Sequence, residues 1–478
     1  MTENQIFIYN KNKLKMVKKD LAIRFGEILN ESNFRFIFNS VIGPTVNIDN
    51  WMDENKFLEL LNGIERADRA LIELLVLGYS KPAVLIKEIL QDEGIEFLVQ
   101  SNIVYKNNDL LVSNGYIILP VNELYLIVSL PCNYKNGEAQ FSDIYIGQDS
   151  MRLQQMLKNK HFDNILDLCT GSGVQGLHYN GLANKISAVE LNDNAYVAAS
   201  LNAIINGMKE TYNIYKGDLY KALPSDTNKY DCIISNPPYV PIPKNIEVAM
   251  CGDGGEDGME IAKRIIDGYK DYLQDGGYAY MVLECIGDEE EPYIIDYIRK
   301  TMKKGVLNVS IIDKNSLLFQ AHASAKLASY GDTKLYSFYF NKWKELFEKM
   351  EATAIYPVVI EYINQDCVWK ENIVRRYENI SLNSVFKIRE NVNYCIEDKP
   401  YYNVYKQKNK IMSVRKDIFD TLLKNSGKRI IDFKLENDMD ERGYVCAMYE
   451  LLRTIILFSE QDLLQKVMNS ENDAQPYS

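Results

Sequence analysis

Apolar runs in the middle of the chain repeatedly end in glycine or polar tips. Ile165, Leu166 and Leu168 predict a buried strand, Gly171 and Gly173 a turn, and the residues after them a helix. Residues 186–190 make a second strand that ends in Glu190, and a third unit ends in Tyr215-Lys216-Gly217-Asp218-Leu219. The run 230–235 predicts another strand, leading into Asn236-Pro237-Pro238-Tyr239. Two consecutive prolines continue neither a helix nor a central strand, so this tetrapeptide predicts a stiff extended loop. A fifth strand is expected over 278–283.

Upstream, residues 17–29, 56–64, 69–77 and 82–90 have helical patterns. Residues 103–105 and 110–112 flank a hairpin turn at Lys106-Asn107-Asn108-Asp109, and apolar strands at 116–119 and 124–128 follow. Downstream, a strand is expected at 306–312, a helix holding Trp343 at 335–350 and a strand at 356–362. Pro357 must then lie near that strand's start or at an edge. Helical patterns recur at 418–423 and 445–458, before a frayed tail at 471–478. Helices followed by a small sheet suggest a winged-helix-like α+β module at each end. The boundaries predicted are 1–138, 139–376 and 377–478.

The strand ends carry the candidate chemistry. Gly171 and Gly173 let backbone approach a ligand, and the helix amides that follow favour negative charge. Glu190 lies 190 − 167 = 23 residues after Asp167, near the spacing of about 20 at which a carboxylate takes ribose hydroxyls. Asp218 suits an adenine amino group. The Asn236 amide offers an acceptor and two donors, enough to grip an N–H of a planar nitrogen, and the Tyr239 ring offers a face for stacking.

These residues resemble the class I S-adenosylmethionine-dependent methyltransferases, in particular the branch with an Asn-Pro-Pro-Tyr loop. That branch includes glutamine N5-methyltransferases of release factors and N-methyltransferases of nucleobases. Ile144-Tyr145-Ile146-Gly147-Gln148-Asp149-Ser150, Asn202 with Asn206, and Gly254-Gly255-Glu256-Asp257-Gly258-Met259 fit the same branch. The resemblance covers residues 140 to 375 and departs at Cys169, where many relatives carry glycine or another small residue. It implies a Rossmann-like α/β fold with a seven-stranded sheet, and S-adenosyl-L-methionine as cofactor. Asp167, Gly171 and Gly173 would contact its methionine part, Glu190 its ribose and Asp218 its adenine, with Cys169, Leu191 and Leu219 beside them. Asn236 and the Pro237 carbonyl would hold the target nitrogen. Tyr239 would stack on its plane, and Pro238 and Tyr145 would line the acceptor site.

Composition narrows the acceptor. Among 478 residues the net charge is −12 and the pI about 5.1, which repels a bare phosphate backbone. The 8 Cys include no C-x-x-C pair and there are only 3 His, so no metal is expected. Scattered cysteines and the absence of a signal-peptide pattern point to the cytoplasm. No apolar run reaches membrane-spanning length; 71–77 comes nearest and carries Glu73. His178 and His322 read as surface or packing residues. The reading is therefore an N-methyltransferase acting on a peptide, protein or small metabolite, natural-product tailoring included. The alternatives are a nucleobase N-methyltransferase, an O-methyltransferase using the same site, and a cofactor-binding interaction protein. A homodimer stays open.

Overall fold

The computed structural model describes residues 13–41, 61–130, 144–225, 227–246, 251–329, 333–376, 385–389, 392–396, 401–406, 409–428 and 464–467, together with 433, 451, 454–455 and 458. The chain divides into two compact units: residues 1–35 with 47–374, and residues 36–46 with 375–478.

The first unit opens with α1 (Lys19–Glu31), whose buried face is Ala22, Phe25, Ile28 and Leu29. α2 (Phe34–Val41) follows, most of it counted with the second unit, and the first unit resumes with α3 (Arg66–Leu75). A two-residue strand, β1 (Lys81–Pro82), leads into α4 (Ala83–Gln100). That helix is broken at Gln91, whose φ of 59° is not helical. Strands β2 (Val104–Asn107) and β3 (Leu110–Ser113) form the expected hairpin, and β1 pairs with the other edge of β3. Strands β4 (Tyr116–Val121) and β5 (Leu124–Ser129) form a separate, largely buried antiparallel pair. The helix expected at 56–64 is only partly testable, because 56–60 lie outside the described residues. Residues 61–64 make a turn instead, with Gly63 at φ 85°, a conformation that stops a helix.

The central sheet follows. After α5 (Gln148–Met156) come β6 (Phe162–Leu168), α6 (Val174–Leu177), β7 (Ala183–Glu190), α7 (Asp193–Ile205), β8 (Tyr212–Lys216), β9 (Tyr230–Ser235), α8 (Glu260–Tyr272), β10 (Leu273–Gly287), α9 (Tyr293–Thr301) and β11 (Lys304–Ile311). A short β12 (Asn315–Ser316), α10 (Leu317–Ala328), α11 (Thr333–Lys349), β13 (Ala354–Val368) and β14 (Lys370–Arg375) complete it. Strands run in the order β14-β11-β13-β10-β9-β6-β7-β8, with β12 pairing β13. β6 to β10 are parallel, and β13 runs antiparallel between β10 and β11. This is a Rossmann-like α/β fold. The sheet holds nine strands where seven were expected; the additions are the two-residue β12 and the edge strand β14. Ile165 to Leu168 and Cys232 to Ser235 are buried throughout, as befits parallel strands covered on both faces. Pro357 is the fourth residue of β13, and its carbonyl accepts from Ile312 N–H just beyond the end of β11. It thus sits near the strand's start, where the missing N–H costs least.

The small β4–β5 sheet is clamped to the central fold by α7. Asn202 Oδ1 accepts from Ile127 N–H at 2.8 Å, and Asn206 Oδ1 accepts from Tyr125 N–H at 2.9 Å. Their amide groups donate back to the carbonyls of the same two residues. On the other side α1 crosses α7 at Gly26, where a Cβ would fall 2.1 Å from the Ile205 carbonyl oxygen. No helix among the described residues is long and apolar enough to cross a membrane.

The second unit contains β15 (Val385–Ile388) paired with β19 (Leu464–Val467). It also contains the meander β16 (Val392–Ile396), β17 (Tyr401–Lys406) and β18 (Asn409–Arg415), followed by α12 (Lys416–Lys424). Tyr402, Val404, Phe419, Leu422, Leu451 and Phe458 share its core. The helix expected at 418–423 is α12; the one expected at 445–458 falls mostly outside the described residues, as does the tail at 471–478.

Candidate active site at the carboxyl ends of β6 to β9

β6 and β9 are neighbours, with Leu168 opposite Ser235. The glycine turn and the Asn236 loop therefore leave the sheet side by side, at the end where open α/β sheets bind ligands. Cys169 and Gly171 adopt left-handed backbone, φ 57° and 55°. Gly173, at φ 85°, is the residue before α6. A Cβ at Gly171 would meet nothing within 4 Å, so the turn faces open space.

Asp167 is buried beneath that turn. Its Oδ2 accepts from the Thr170 hydroxyl and from Gly176 N–H at 3.0 Å. Its Oδ1 is buried and has no hydrogen-bond partner. Burial pushes its carboxyl up to about 7, against the two hydrogen bonds and with a further upward push from Glu190. Tyr212 OH lies 2.8 Å from the Thr170 hydroxyl. Glu190 accepts from Gly171 N–H and Asn192 N–H, each at 2.8 Å. Burial raises its pKa, opposed by those backbone donors. The next residue, Leu191, is 52% exposed and free to lie along a ligand. Cys169 is half-buried, and burial with the neighbouring Glu190 and Asp167 holds its thiol well above the ordinary range, so it is no ready nucleophile.

Asp218 meets a partner that the sequence reading did not anticipate. Arg264 Nη2, on α8, donates to both its oxygens at 2.7 and 2.6 Å, and Lys221 donates at 3.3 Å. The Arg264 hydrogen bonds hold the Asp218 carboxyl below its usual range. A carboxylate retains spare lone pairs in such a pair, so an amino group can still be accepted. Leu219 is buried beside it, at φ 47°.

In the Asn236 loop, Asn236 Nδ2 donates to Asp149 Oδ2 at 2.8 Å and to Ser150 Oγ at 3.2 Å. Tyr239 OH donates to the same Asp149 oxygen at 3.2 Å. Burial, then the nearby Asp149, Glu284 and Tyr145, keep the Tyr239 phenol far above its ordinary pKa. Tyr145 is 41% exposed, and its hydroxyl lies where a Cβ on Gly147 would fall. Pro238 is half-buried and Pro237 buried. The loop is fixed from behind as well. Val240 N–H donates to the Gly252 carbonyl and Ile242 N–H to that of Gly255, each at 2.9 Å. Trp343 Nε1 on α11 donates to the Pro241 carbonyl at 2.8 Å.

The structure thus gathers Asp167, Cys169, Gly171, Gly173 and Glu190 around one turn, with Asn236 to Tyr239 on the neighbouring strand end. Thr170, Tyr212, Arg264 and the side chains of Asp149 and Ser150 belong to the same region. Of these, only the Asp149-Ser150 segment left a signal in the sequence; Arg264 left none.

Residues 133–303 match the methyltransferase small domain family. The chain is 38% identical over 142 residues to the ribosomal protein uL3 glutamine methyltransferase of Burkholderia pseudomallei, across 26% of this chain and 45% of that one. It is 28% identical over 177 residues to the release factor glutamine methyltransferase of Thermodesulfovibrio yellowstonii, across 32% of this chain and 62% of that one. Among solved structures, a ribosomal protein L11 methylase from Lactobacillus delbrueckii aligns with a TM-score of 0.25 at 20% identity, across 35% of this chain and 70% of that one. The chain spans about half the length of the curated relatives it matches.

Proposed function

We propose that the chain, whose residues 133–303 match the methyltransferase small domain family, uses S-adenosylmethionine to methylate a primary-amide nitrogen, with a glutamine side chain in a protein or peptide as the acceptor. The observation that carries the reading is the pairing of β6 and β9, which sets the glycine turn and the Asn236 loop at the same level. The names of the similar relatives favour glutamine over a nucleobase or a metabolite.

The chain's own groups fit the cofactor. The unpartnered Oδ1 of Asp167 is a buried acceptor suited to an ammonium group, and Gly171 leaves room above the turn. Glu190 would take the ribose hydroxyls, and Asp218, steadied by Arg264, the adenine amino group. When bound, the cofactor supplies an electrophilic methyl on sulfur. The protein's task is to aim the acceptor and support its nitrogen. An amide lone pair is delocalised, so the nitrogen is a weak nucleophile. Carbonyl oxygens of Asn236 and Pro237 accepting its N–H bonds raise its electron density and draw off the charge that develops there. Tyr239 holds the plane of the group, and alignment supplies much of the remaining acceleration.

We also read the N- and C-terminal flanks, 1–138 and 377–478, as winged-helix-like modules that select the acceptor. The joining of β1 to the β2–β3 hairpin supports this for the first.

Incubation with methyl-tritiated S-adenosylmethionine and glutamine-containing peptides tests the function. Acid hydrolysis of an N-methylated amide releases labelled methylamine, whereas methyl groups on oxygen or carbon do not. Label that enters no amide acceptor, or that never appears as methylamine, sinks the proposal.

A further inference from the structure

Asp149 reaches both polar side chains of the Asn236 loop with one carboxylate. Its Oδ2 accepts from Asn236 Nδ2 at 2.8 Å and from Tyr239 OH at 3.2 Å, and its Oδ1 faces the Ser150 hydroxyl at 3.5 Å. Ser150 Oγ in turn accepts the second N–H of Asn236 at 3.2 Å. Asp149 is buried in the first turn of α5, where helix N–H groups favour a negative charge. That helix is braced against the cofactor turn: Gln175 Nε2 donates to the Ser150 carbonyl at 2.9 Å, and Gln154 Nε2 donates to the Val174 carbonyl at 2.8 Å.

An ionised carboxylate only accepts hydrogen bonds, so the amide beside it must present its NH2 group. With both N–H bonds taken by Asp149 and Ser150, the polarity left to Asn236 is that of its Oδ1. Pro237 has no N–H, so its backbone also offers an acceptor alone. We infer that Asp149 is a positioning residue that fixes the orientation of the Asn236 amide and so makes the acceptor subsite a receiver of N–H bonds. A group bringing two N–H donors satisfies both oxygens. A hydroxyl brings one, and a carboxylate brings none and is repelled. The step deepens the proposed function and rests on its placement of the acceptor at Asn236.

The test is Asp149→Asn, close in shape to the native residue but able to donate an N–H. In the variant the Asn236 amide is free to turn its NH2 toward the acceptor. Turnover of a glutamine peptide is expected to fall about ten- to a hundredfold, less than the roughly hundred- to thousandfold for losing a preorganised contact outright, because the Asn236 amide is loosened and not removed. Binding of S-adenosylhomocysteine should change less than about twofold. A second measurement needs no turnover. In protein labelled with ¹⁵N-asparagine, the Asn236 side-chain signals, assigned by their loss in Asn236→Asp, should shift in Asp149→Asn and in Asp149→Ala. Unmoved Asn236 signals, or wild-type turnover in a folded Asp149→Asn protein, overturn the inference. Signals that respond to Asp149 while the wild type methylates no amide uphold the orientation and refute the proposed reaction instead.

Discussion

Cys169 holds a left-handed backbone, φ 57°, at the first bend of the cofactor turn. A side chain there costs about 1–2 kcal/mol that glycine avoids, while glycine loses roughly 0.5–1 kcal/mol through the greater freedom of its unfolded chain. Cys169→Gly should therefore be neutral to slightly stabilising. Cys169→Val, with a branched Cβ in the same conformation, should lose about 1–3 kcal/mol. Denaturant midpoints of the two variants check the ordering. Asp167 makes the second prediction at this scale. Its carboxyl is pushed up to about 7 by burial, from an ordinary 3.8. Between those values the folded protein holds a proton that the unfolded chain has lost, so this residue's contribution to stability falls as pH rises from about 4 to 7 and is then level. A cationic ammonium prefers the ionised form, so cofactor affinity should rise over the upper part of that window. Melting curves from pH 5 to 8 with and without S-adenosylhomocysteine, compared with Asp167→Asn, should show both slopes flatten in the variant, with the raised Glu190 carboxyl leaving a residual slope. The placement of Asp167, Gly171, Glu190 and Asn236 at strand ends was legible because each closes or follows an apolar run. The grip of Asp149 on Asn236 spans 87 positions, and no local pattern encodes such a contact.

Helices α10 and α11 lie between β12 and β13, and with Ile242 and Ile286 they bury Trp343, Ala321, Ala325 and Phe347 in one cluster. The indole N–H of Trp343 is committed to the Pro241 carbonyl, so this helix pair holds the back of the Asn236 loop. Trp343→Ala should cost about 3–5 kcal/mol of stability. Trp343→Phe keeps most of the packing and leaves the carbonyl unmet, costing about 1–3 kcal/mol. The Phe variant should lose turnover while keeping cofactor affinity, as measured by calorimetry beside a methyl-transfer assay. Equal losses of both would mean that the cluster supports the whole fold and not the loop. At this scale α11 was legible from its apolar spacing. α10 was not, because Leu317 to Ala328 holds small and polar residues without a strong stripe. The strands of the second unit were also missed. In β17 only Tyr402 and Val404 are seen to join the core, a pattern too short to stand out among many tyrosines. The break of α4 at Gln91 has no proline or glycine at the site to announce it.

The whole molecule carries a net charge of −12. Nucleic acid should therefore bind weakly, with a shallow dependence on salt. A protein neutralising several phosphates would show a slope of about one per contact. RNA and DNA affinities at two salt concentrations distinguish the cases, and tight binding with a steep slope would favour a nucleobase acceptor. The α/β core was legible as a whole because most of its parallel strands are apolar runs that end in a glycine or a polar residue. The membership of residues 13–35 and 61–130 in the same compact unit as that core was not, since composition shifts mark linkers but not the surfaces that close over them. The clamp on β5 shows what joins them. Four residues along a helix advance about 6 Å, nearly the distance that two residues advance along a strand. Asn202 and Asn206 thus fall in step with Ile127 and Tyr125 respectively, and α7 imitates the hydrogen-bonding ladder of an adjoining strand. An open strand margin is an invitation to stick to other chains. Here two amide side chains close that margin, and Asn202 also fastens the Ser172 carbonyl of the cofactor turn. Protection from aggregation and the shape of the ligand site consequently share one asparagine, and a change there is felt by both.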